Sequence, residues 1–245
     1  MTALRRMGWG ALILLLAVVT VGTELDRESR KGDLPVALVP TPFRSFALAR
    51  EAATAVKAGS AEQALELSRR LVASRPMPAE NLVLLGLAEF RSNRIREGNL
   101  TVQMGARRGW RDRAAQEGML RIAFDAGDFE EAAGRLAALW IVPESSPNLA
   151  QLTSQVLATQ PGRAALAQRL ASGGYWVDNF MRGVSQQDPA AFAEVVSTAA
   201  RQGARYDCAV LEAATRNLVQ RNHEAEARLV WTGPCAEGHP FPESR

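Results

Sequence analysis

Histidine and cysteine are scarce in this chain of 245 residues, which has two of each. No spacing of Cys or His is typical of a zinc site, no glycine-rich loop with a lysine could cradle a phosphate, and no serine or cysteine stands in a nucleophile elbow. Glu130 and Glu131 are adjacent carboxylates, but they fall in the first turn of an expected helix, where the macrodipole favours acids. We therefore expect no catalytic residue, no metal and no cofactor, and a protein that is not an enzyme.

Strand-like alternation is almost absent as well, and aromatic residues make up only 6% of the chain. Apolar residues recur at helical spacing instead, which predicts an all-α fold. The net charge of +3 carries little information, because without Arg5 and Arg6 the chain has 27 basic and 26 acidic residues. One basic segment, residues 107–113, could meet a phosphate or an acidic partner. A solvated loop with Trp110 packed inward is the favoured interpretation, and no nucleic-acid partner is expected.

A spacing of 34 residues in the middle of the chain is the strongest positive pattern. It relates three sets of positions: Ala64, Gly98 and Ala132; Gly59, Asn93 and Gly127; Leu48, Leu82 and Gln116. A helix–turn–helix unit of this length buries its apolar face only by stacking on its neighbours. The first set is expected where two helices cross, and the second at left-handed helix ends. An Ala-rich bundle with coincidental spacings is the alternative.

Two strings, AVKAGSAEQALEL and IAFDAGDFEEAAGRL, resemble tetratricopeptide repeats, and the resemblance covers residues 45–143. It implies a helix–turn–helix solenoid of divergent repeats, with Pro76 closing the first repeat and Trp110 and Glu144 replacing proline later. It also implies a partner-binding groove built from the first helices. The groove residues would be Phe46, Lys57, Phe90, Arg91, Arg121 and Phe124, with Phe90 and Phe124 alternatively in the core.

Five segments follow along the chain. Residues 1–23 form a membrane anchor or signal peptide, 24–44 a linker, 45–143 the repeats, 144–232 degenerate helical pairs, and 233–245 a Pro- and Gly-rich tail without regular structure. Charged residues begin the linker, and Pro35, Pro40 and Pro42 follow, which predicts an extended spacer.

The amino terminus has two arginines followed by an uncharged run of 17 residues, Met7 to Thr23. As a helix this run would be about 25 Å long, at the short end for a bilayer span. The flanking charges predict a cytoplasmic amino terminus, with the rest of the chain across the membrane. A cleaved signal peptide, with Thr20 and Gly22 near the cleavage site, is the alternative.

The Ala-, Arg- and Gly-rich composition is typical of a GC-rich bacterium, which predicts a periplasmic domain held by residues 7–23 in the inner membrane as a single-pass anchor. An oxidising periplasm permits a disulfide. Cys208 and Cys235 fall at the two ends of an expected antiparallel helix pair, which lie side by side, so a bridge is expected. Two free thiols are the alternative.

The strings PTPFRSFALAR and MGARRGWRD resemble proteins of alphaproteobacterial polysaccharide clusters, in which helical repeats follow a short anchor. That resemblance implies a role in cell-envelope polysaccharide production or export. A β-rich domain, expected after the helices in such relatives, has no matching pattern up to Arg245, which weighs against sugar binding. We expect a periplasmic interaction scaffold for a protein partner. The alternatives are a structural, self-associating helical protein and an assembly factor of the cytochrome c maturation type.

Overall fold

Helices make up the regular structure of the described residues, which in this computed structural model are 2–32, 34–109, 112–143, 146–184 and 188–242, with backbone only for 2–6. The predicted all-α class is confirmed. Fourteen α-helices are present in these ranges: α1 (Thr2–Ser29), α2 (Phe46–Ala58), α3 (Ala61–Ser74), α4 (Ala79–Arg91), α5 (Ile95–Arg108), α6 (Arg113–Asp125), α7 (Phe129–Leu139), α8 (Leu149–Leu157), α9 (Gln160–Ala171), α10 (Val177–Val184), α11 (Pro189–Arg201), α12 (Cys208–Gln220), α13 (Glu224–Val230) and α14 (Pro234–Gly238).

The chain divides into two compact units, Met1–Gly109 and Trp110–Arg245. In the first unit, α2 packs on α3 and α4 on α5, while α3 and α2 both contact α4. In the second unit, α6 packs on α7, α8 on α9 and α12 on α13, and α7, α9, α11 and α13 follow one another as neighbours. Sequential helix pairs are therefore present as expected, while their origin in one repeated unit stays a prediction.

Two of the three predicted left-handed helix ends are confirmed. Asn93 has φ 60° after α4, and Gly127 has φ 75° after α6. Gly59 was expected to behave in the same way, but this is wrong, because its φ is −83°. Its need for glycine is steric instead: an added Cβ would lie 2.9 Å from the Cα of Ala55 and 2.9 Å from Oε1 of Gln63.

The predicted crossing residues lie where helices approach closely. Ala64 and Ala132 are fully buried. A Cβ on Gly98 would lie 2.6 Å from the ring of Phe90 and 3.0 Å from the carbonyl oxygen of Gly86, so α4 and α5 approach at van der Waals contact there. The expected caps are also present, since Ser60 and Asp128 each accept a backbone N–H from the residue three positions on, at 3.1 Å.

The segment predicted as an extended linker, residues 24–44, is folded onto the first unit. α1 continues to Ser29, and Asp26 on its last turns is buried at 4% exposure. Its carboxylate accepts the backbone N–H groups of Ser45, Phe46 and Ala47 at 2.9, 3.1 and 2.9 Å. Ser45 precedes α2 without a side-chain cap of its own, so a residue about twenty positions earlier caps this helix.

The rest of that segment is also packed. Arg50 on α2 donates to the carbonyl oxygens of Ser29 and Leu34 at 2.7 and 2.9 Å. Two 3-10 turns follow, Val36–Leu38 and Thr41–Phe43. Phe43 lies on Gly22 of α1, where an added Cβ would clash with its ring. Proline therefore shapes tight turns here and does not form a spacer.

The second unit encloses a larger core that extends into the predicted tail. Phe180 and Phe192 are fully buried, and Trp140 and Trp176 both meet Phe180 edge-on, at 5.9 and 5.3 Å between ring centroids. The tail, expected to lack regular structure, contains α14 and the buried Cys235 instead.

The two cysteines are joined in a disulfide, with 5.4 Å between the Cα atoms of Cys208 and Cys235. The bond ties α14 to the start of α12. Beside it, the Tyr206 hydroxyl donates to the carbonyl oxygen of Val196 at 2.9 Å, and burial raises the pKa of this phenol well above its ordinary value.

Asp26→Ala should lower the free energy of unfolding by about 2 kcal/mol, because three backbone N–H groups lose a charged acceptor. Asp26→Asn should lower the free energy of unfolding by a smaller amount, since its one amide oxygen can still accept a hydrogen bond. Glu24→Ala, an exposed neighbour on the same helix, should change stability by less than about 0.5 kcal/mol. Denaturant unfolding of the detergent-solubilised chain, followed by circular dichroism, measures the series. Equal losses for Asp26→Ala and Glu24→Ala would contradict the cap.

Candidate functional site

Arg91, predicted in the partner-binding groove, holds the end of α2. Its guanidinium donates to the carbonyl oxygens of Ala55, Val56 and Gly59 at 2.7, 2.6 and 2.7 Å. These carbonyls lie at the end of α2, where the Ala55 carbonyl also accepts the backbone N–H of Gly59. A cation at this helix end also complements the macrodipole. Arg91 therefore has a structural role that the sequence did not reveal.

Two further predicted groove residues of the first unit are engaged in internal contacts. The guanidinium groups of Arg30 and Arg75 both lie over the Phe46 ring, at 5.3 and 4.5 Å from its centroid. Phe90 packs against Gly98, which agrees with its alternative assignment to the core. Lys57 is exposed on the last turn of α2. Of the four groove residues predicted in this unit, Lys57 keeps its side chain available.

The other two predicted groove residues belong to the second unit. Phe124 is half-buried and meets Phe129 edge-on at 5.5 Å. Arg121 is exposed, and within the described ranges it has no hydrogen-bond or ion-pair partner. Phe124 therefore contributes to packing, and Arg121 is the groove residue open to a partner here.

A polar groove in the second unit, which we call the α7–α9 groove, has a volume of about 500 Å³. It is lined by Gln116 of α6, by residues of α7 and its cap, and by residues of α9 and its end: Asp128, Glu130, Glu131, Gly134, Arg135, Ala138, Ala165, Gln168, Arg169 and Ser172. Three carboxylates and two guanidinium groups therefore face one channel, an arrangement suited to a polar chain with charges of both signs.

One wall of the α7–α9 groove is held by Arg135. Its guanidinium donates to Oε1 of Glu131 at 2.8 and 2.6 Å and to Oε1 of the buried Gln116 at 3.0 Å. Arg169 lies opposite on α9 and is exposed. The groove thus combines one fixed arginine with one open arginine. Its floor includes Gly134, where an added Cβ would meet nothing within 4 Å.

A second groove, of about 560 Å³, lies in the first unit beside α2. Both charged residues of its lining are already paired, since Arg50 holds loop carbonyls and Glu51 meets Arg44 at 3.4 Å. The remaining lining is mostly small or neutral: Val36, Thr54, Ala55, Ala58, Gly59, Gln63 and Leu67. It offers fewer free charges than the α7–α9 groove.

The basic segment 107–113 is partly used inside the protein. Arg108 donates to the carbonyl oxygen of Pro76 at 2.8 Å. Arg113 pairs with Glu117 at 3.5 Å. Glu117 is buried and also accepts from Ser146 at 2.7 Å and from Asn148 at 3.0 Å, which fastens the start of α8 to α6. Trp110, Arg111 and Glu144 lie outside the described residues.

Groups of three or more metal-ligating side chains are not found among the described residues. His223 lies 3.9 Å from Glu226 at the start of α13, and His239 lies beyond α14. Three carboxylates are buried in the described part of the chain, and two of them, Asp26 and Glu117, have structural partners. The third, Glu89 on α4, has one oxygen without a hydrogen-bond partner. No acid–base pair facing either groove emerges from these contacts.

The chain matches no protein-family model and has no significant match among curated proteins. What is established is an all-helical protein with an apolar N-terminal helix followed by packed helix pairs. Met7–Ser29 is long and apolar enough to cross a bilayer, with a mean hydropathy of 1.8, although a signal sequence has the same properties. Together with the disulfide, this helix suggests an extracytoplasmic or membrane location.

Sequence reasoning missed Asp26, Arg135 and Arg169. Asp26 stands in a run of mixed charges, and its partners are about twenty residues further on, so no local pattern marks it. Arg135 and Arg169 lie on helices that become neighbours only when α7 packs on α9. A search of second helices as well as first helices for arginines could have found them.

Arg91→Ala should lower the free energy of unfolding by about 1 kcal/mol, since carbonyl oxygens at the end of α2 lose a cationic donor. Arg91→Lys should restore only part of the lost stability, because one ammonium group cannot reach all the carbonyl oxygens that a planar guanidinium reaches. Arg94→Ala, a nearby exposed arginine, serves as the control and should have little effect. Thermal unfolding of the full chain measures all three. If Arg91→Ala left the stability unchanged, the hydrogen bonds of Arg91 to the end of α2 would not contribute to folding.

Proposed function

We propose that the protein is a membrane-anchored interaction scaffold whose helical units bind another polypeptide on the far side of a bacterial inner membrane. The observation that carries the proposal is the single helix α1. It is exposed and apolar from Met7 to Val21, and its last turns are built into the first unit through Asp26. The helix that would anchor the chain thus also forms part of the folded unit.

An uncleaved anchor is favoured over a cleaved signal peptide by the structure of residues 20–26. This stretch is helical, and Gly22 lies beneath the Phe43 ring. Signal-peptide cleavage near Thr23 would remove Gly22 and separate α1 from its packing. The disulfide supports an oxidising compartment, which in a bacterium is the periplasm.

The α7–α9 groove is the proposed place for the partner. It offers open charges of both signs, whereas the groove predicted from the first helices has Arg91 and Phe46 engaged internally. Aromatic and arginine side chains dominate many interfaces, and Arg169 is the exposed arginine here. Production or export of a cell-envelope polysaccharide is the pathway in which we expect the partner to act.

Anchoring predicts that the full-length product stays in the membrane after carbonate washing. A periplasm-active reporter fused after Arg245 should be active, and alkylation without reductant should find no free thiol. Leu14→Arg with Leu15→Arg should abolish membrane retention, because each arginine near the centre of a span costs about 3 kcal/mol. A soluble, shortened product starting near Thr23 would establish a cleaved signal peptide instead.

Partner binding is tested by charge reversal in the full chain. Arg169→Glu should reduce recovery of a cross-linked partner by about tenfold, which corresponds to about 1.4 kcal/mol. Arg205→Glu, an exposed arginine outside the α7–α9 groove, is the matched control and should leave recovery unchanged. If Arg121→Glu alone abolished binding, the partner would be assigned instead to the groove predicted from the first helices. Recovery of only further copies of this chain would favour the self-associating alternative.

A further inference from the structure

We propose that residues 35–43, which we call the Pro35–Phe43 segment, form a second membrane contact that lies in the lipid interface beside α1. The segment reads PVALVPTPF and contains no charged residue. The inference rests on the anchoring by α1 proposed above and adds a second surface to it. Its partner is the bilayer lipid on the side of the membrane that holds the folded units.

The position of the segment along α1 is set by direct contacts. Pro40 lies in an apolar groove of about 290 Å³ together with Ala17, Val18, Val21, Gly22 and Leu25 of α1. Most of these α1 residues belong to the uncharged run that ends at Thr23. The segment is therefore beside the last turns of the apolar run, before the first charged residue.

The depth follows from helical rise. From Val18 to Thr23 α1 advances five residues, about 7.5 Å along its axis. The polar interface on each side of a bilayer is about 5–8 Å thick. If the uncharged run spans the hydrocarbon, its end at Thr23 marks the boundary between hydrocarbon and headgroups. Pro40 lies beside residues on either side of Thr23 and is therefore close to that boundary.

The surface of the segment suits that boundary. Leu38 is 58% exposed, and Pro40, Thr41 and Pro42 are exposed as well. The next residue along the chain, Arg44, is turned toward the protein, donating to the carbonyl oxygen of Val39 at 2.7 Å and pairing with Glu51 at 3.4 Å. An apolar side chain next to an exposed apolar helix loses contact with water when lipid surrounds both.

The groove between Pro40 and α1 would be filled by an acyl chain of a bilayer lipid. Its lining residues are apolar except for backbone atoms, and it opens beside the exposed face of the helix that would be in contact with lipid. A water-filled groove with this lining would leave apolar surface hydrated at the membrane boundary, which is unfavourable.

The consequence is a fixed orientation of the first unit. Asp26 holds the N-terminus of α2 beside α1, so this end of α2 is the one near the membrane. The far end of α2 lies about 20 Å away along its axis. Arg91 of α4 bonds there, and Ile95 begins α5 four residues later. Ile95 therefore lies on the side of the far end of α2, about one helix length from the end that Asp26 holds.

The test places an environment-sensitive NBD fluorophore at Leu38→Cys in the full chain. The native cysteines are joined in the disulfide and do not react. Ile95→Cys is the matched control, since Ile95 is an apolar residue of similar exposure, 53% against 58% for Leu38. The labelled proteins are reconstituted in phosphatidylcholine–phosphatidylglycerol vesicles, with or without lipids that carry a doxyl quencher near the carbonyl end of the acyl chain.

We expect a blue-shifted emission and several-fold stronger doxyl quenching at position 38 than at position 95. Thr41→Cys, an exposed neighbour of Pro40, should give the same result and covers the case in which the change at Leu38 disturbs the turn. Equal emission and quenching at positions 38, 41 and 95, in protein that floats with the vesicles, would overturn the second contact alone. Protein that does not float with the vesicles would overturn the anchoring as well.

Discussion

The buried carboxylate of Asp26 at the start of α2 is the contact on which the first unit depends. α2 begins without a side-chain cap of its own, and the N–H groups of Ser45, Phe46 and Ala47 would otherwise lack partners. A negative charge there is also favoured by the helix macrodipole. Because Asp26 belongs to the same helix as the apolar run, this hydrogen bonding joins the candidate membrane helix to the packed helices.

Arginine side chains serve the backbone of the first unit in the same way. Arg50, Arg91 and Arg108 each donate to main-chain carbonyl oxygens in loops or at helix ends. A guanidinium has five donors in a planar fork, so one side chain can satisfy several carbonyls that a helix end leaves open. Charge that looks available for a partner in the sequence is thus used internally, whereas the exposed Arg169 in the α7–α9 groove stays open.

Local features were predicted well, whereas most contacts between residues that are distant in the sequence were not. Helix caps at Ser60 and Asp128, the left-handed Asn93 and Gly127, and the tight crossing at Gly98 all depend on residues within a few positions or on one neighbouring helix. Gly59 was assigned the wrong role because a glycine is required both by positive φ and by close approach, and the sequence does not distinguish them. The proline-rich stretch was predicted as a spacer because its partners on α1 and α2 are remote in sequence.

The sequence alone determined the all-α class, the apolar N-terminal helix, the positions of most turns and the placement of the two cysteines at neighbouring ends of a helix pair. These properties depend on periodicity and local conformational preference, which short stretches encode. Only the tertiary structure decided that Asp26 caps α2, that Arg91 closes its other end, and that Arg135 and Arg169 line one groove. Those contacts join residues that are about twenty to thirty-five positions apart, and burial and hydrogen-bond geometry select them once the helices have packed.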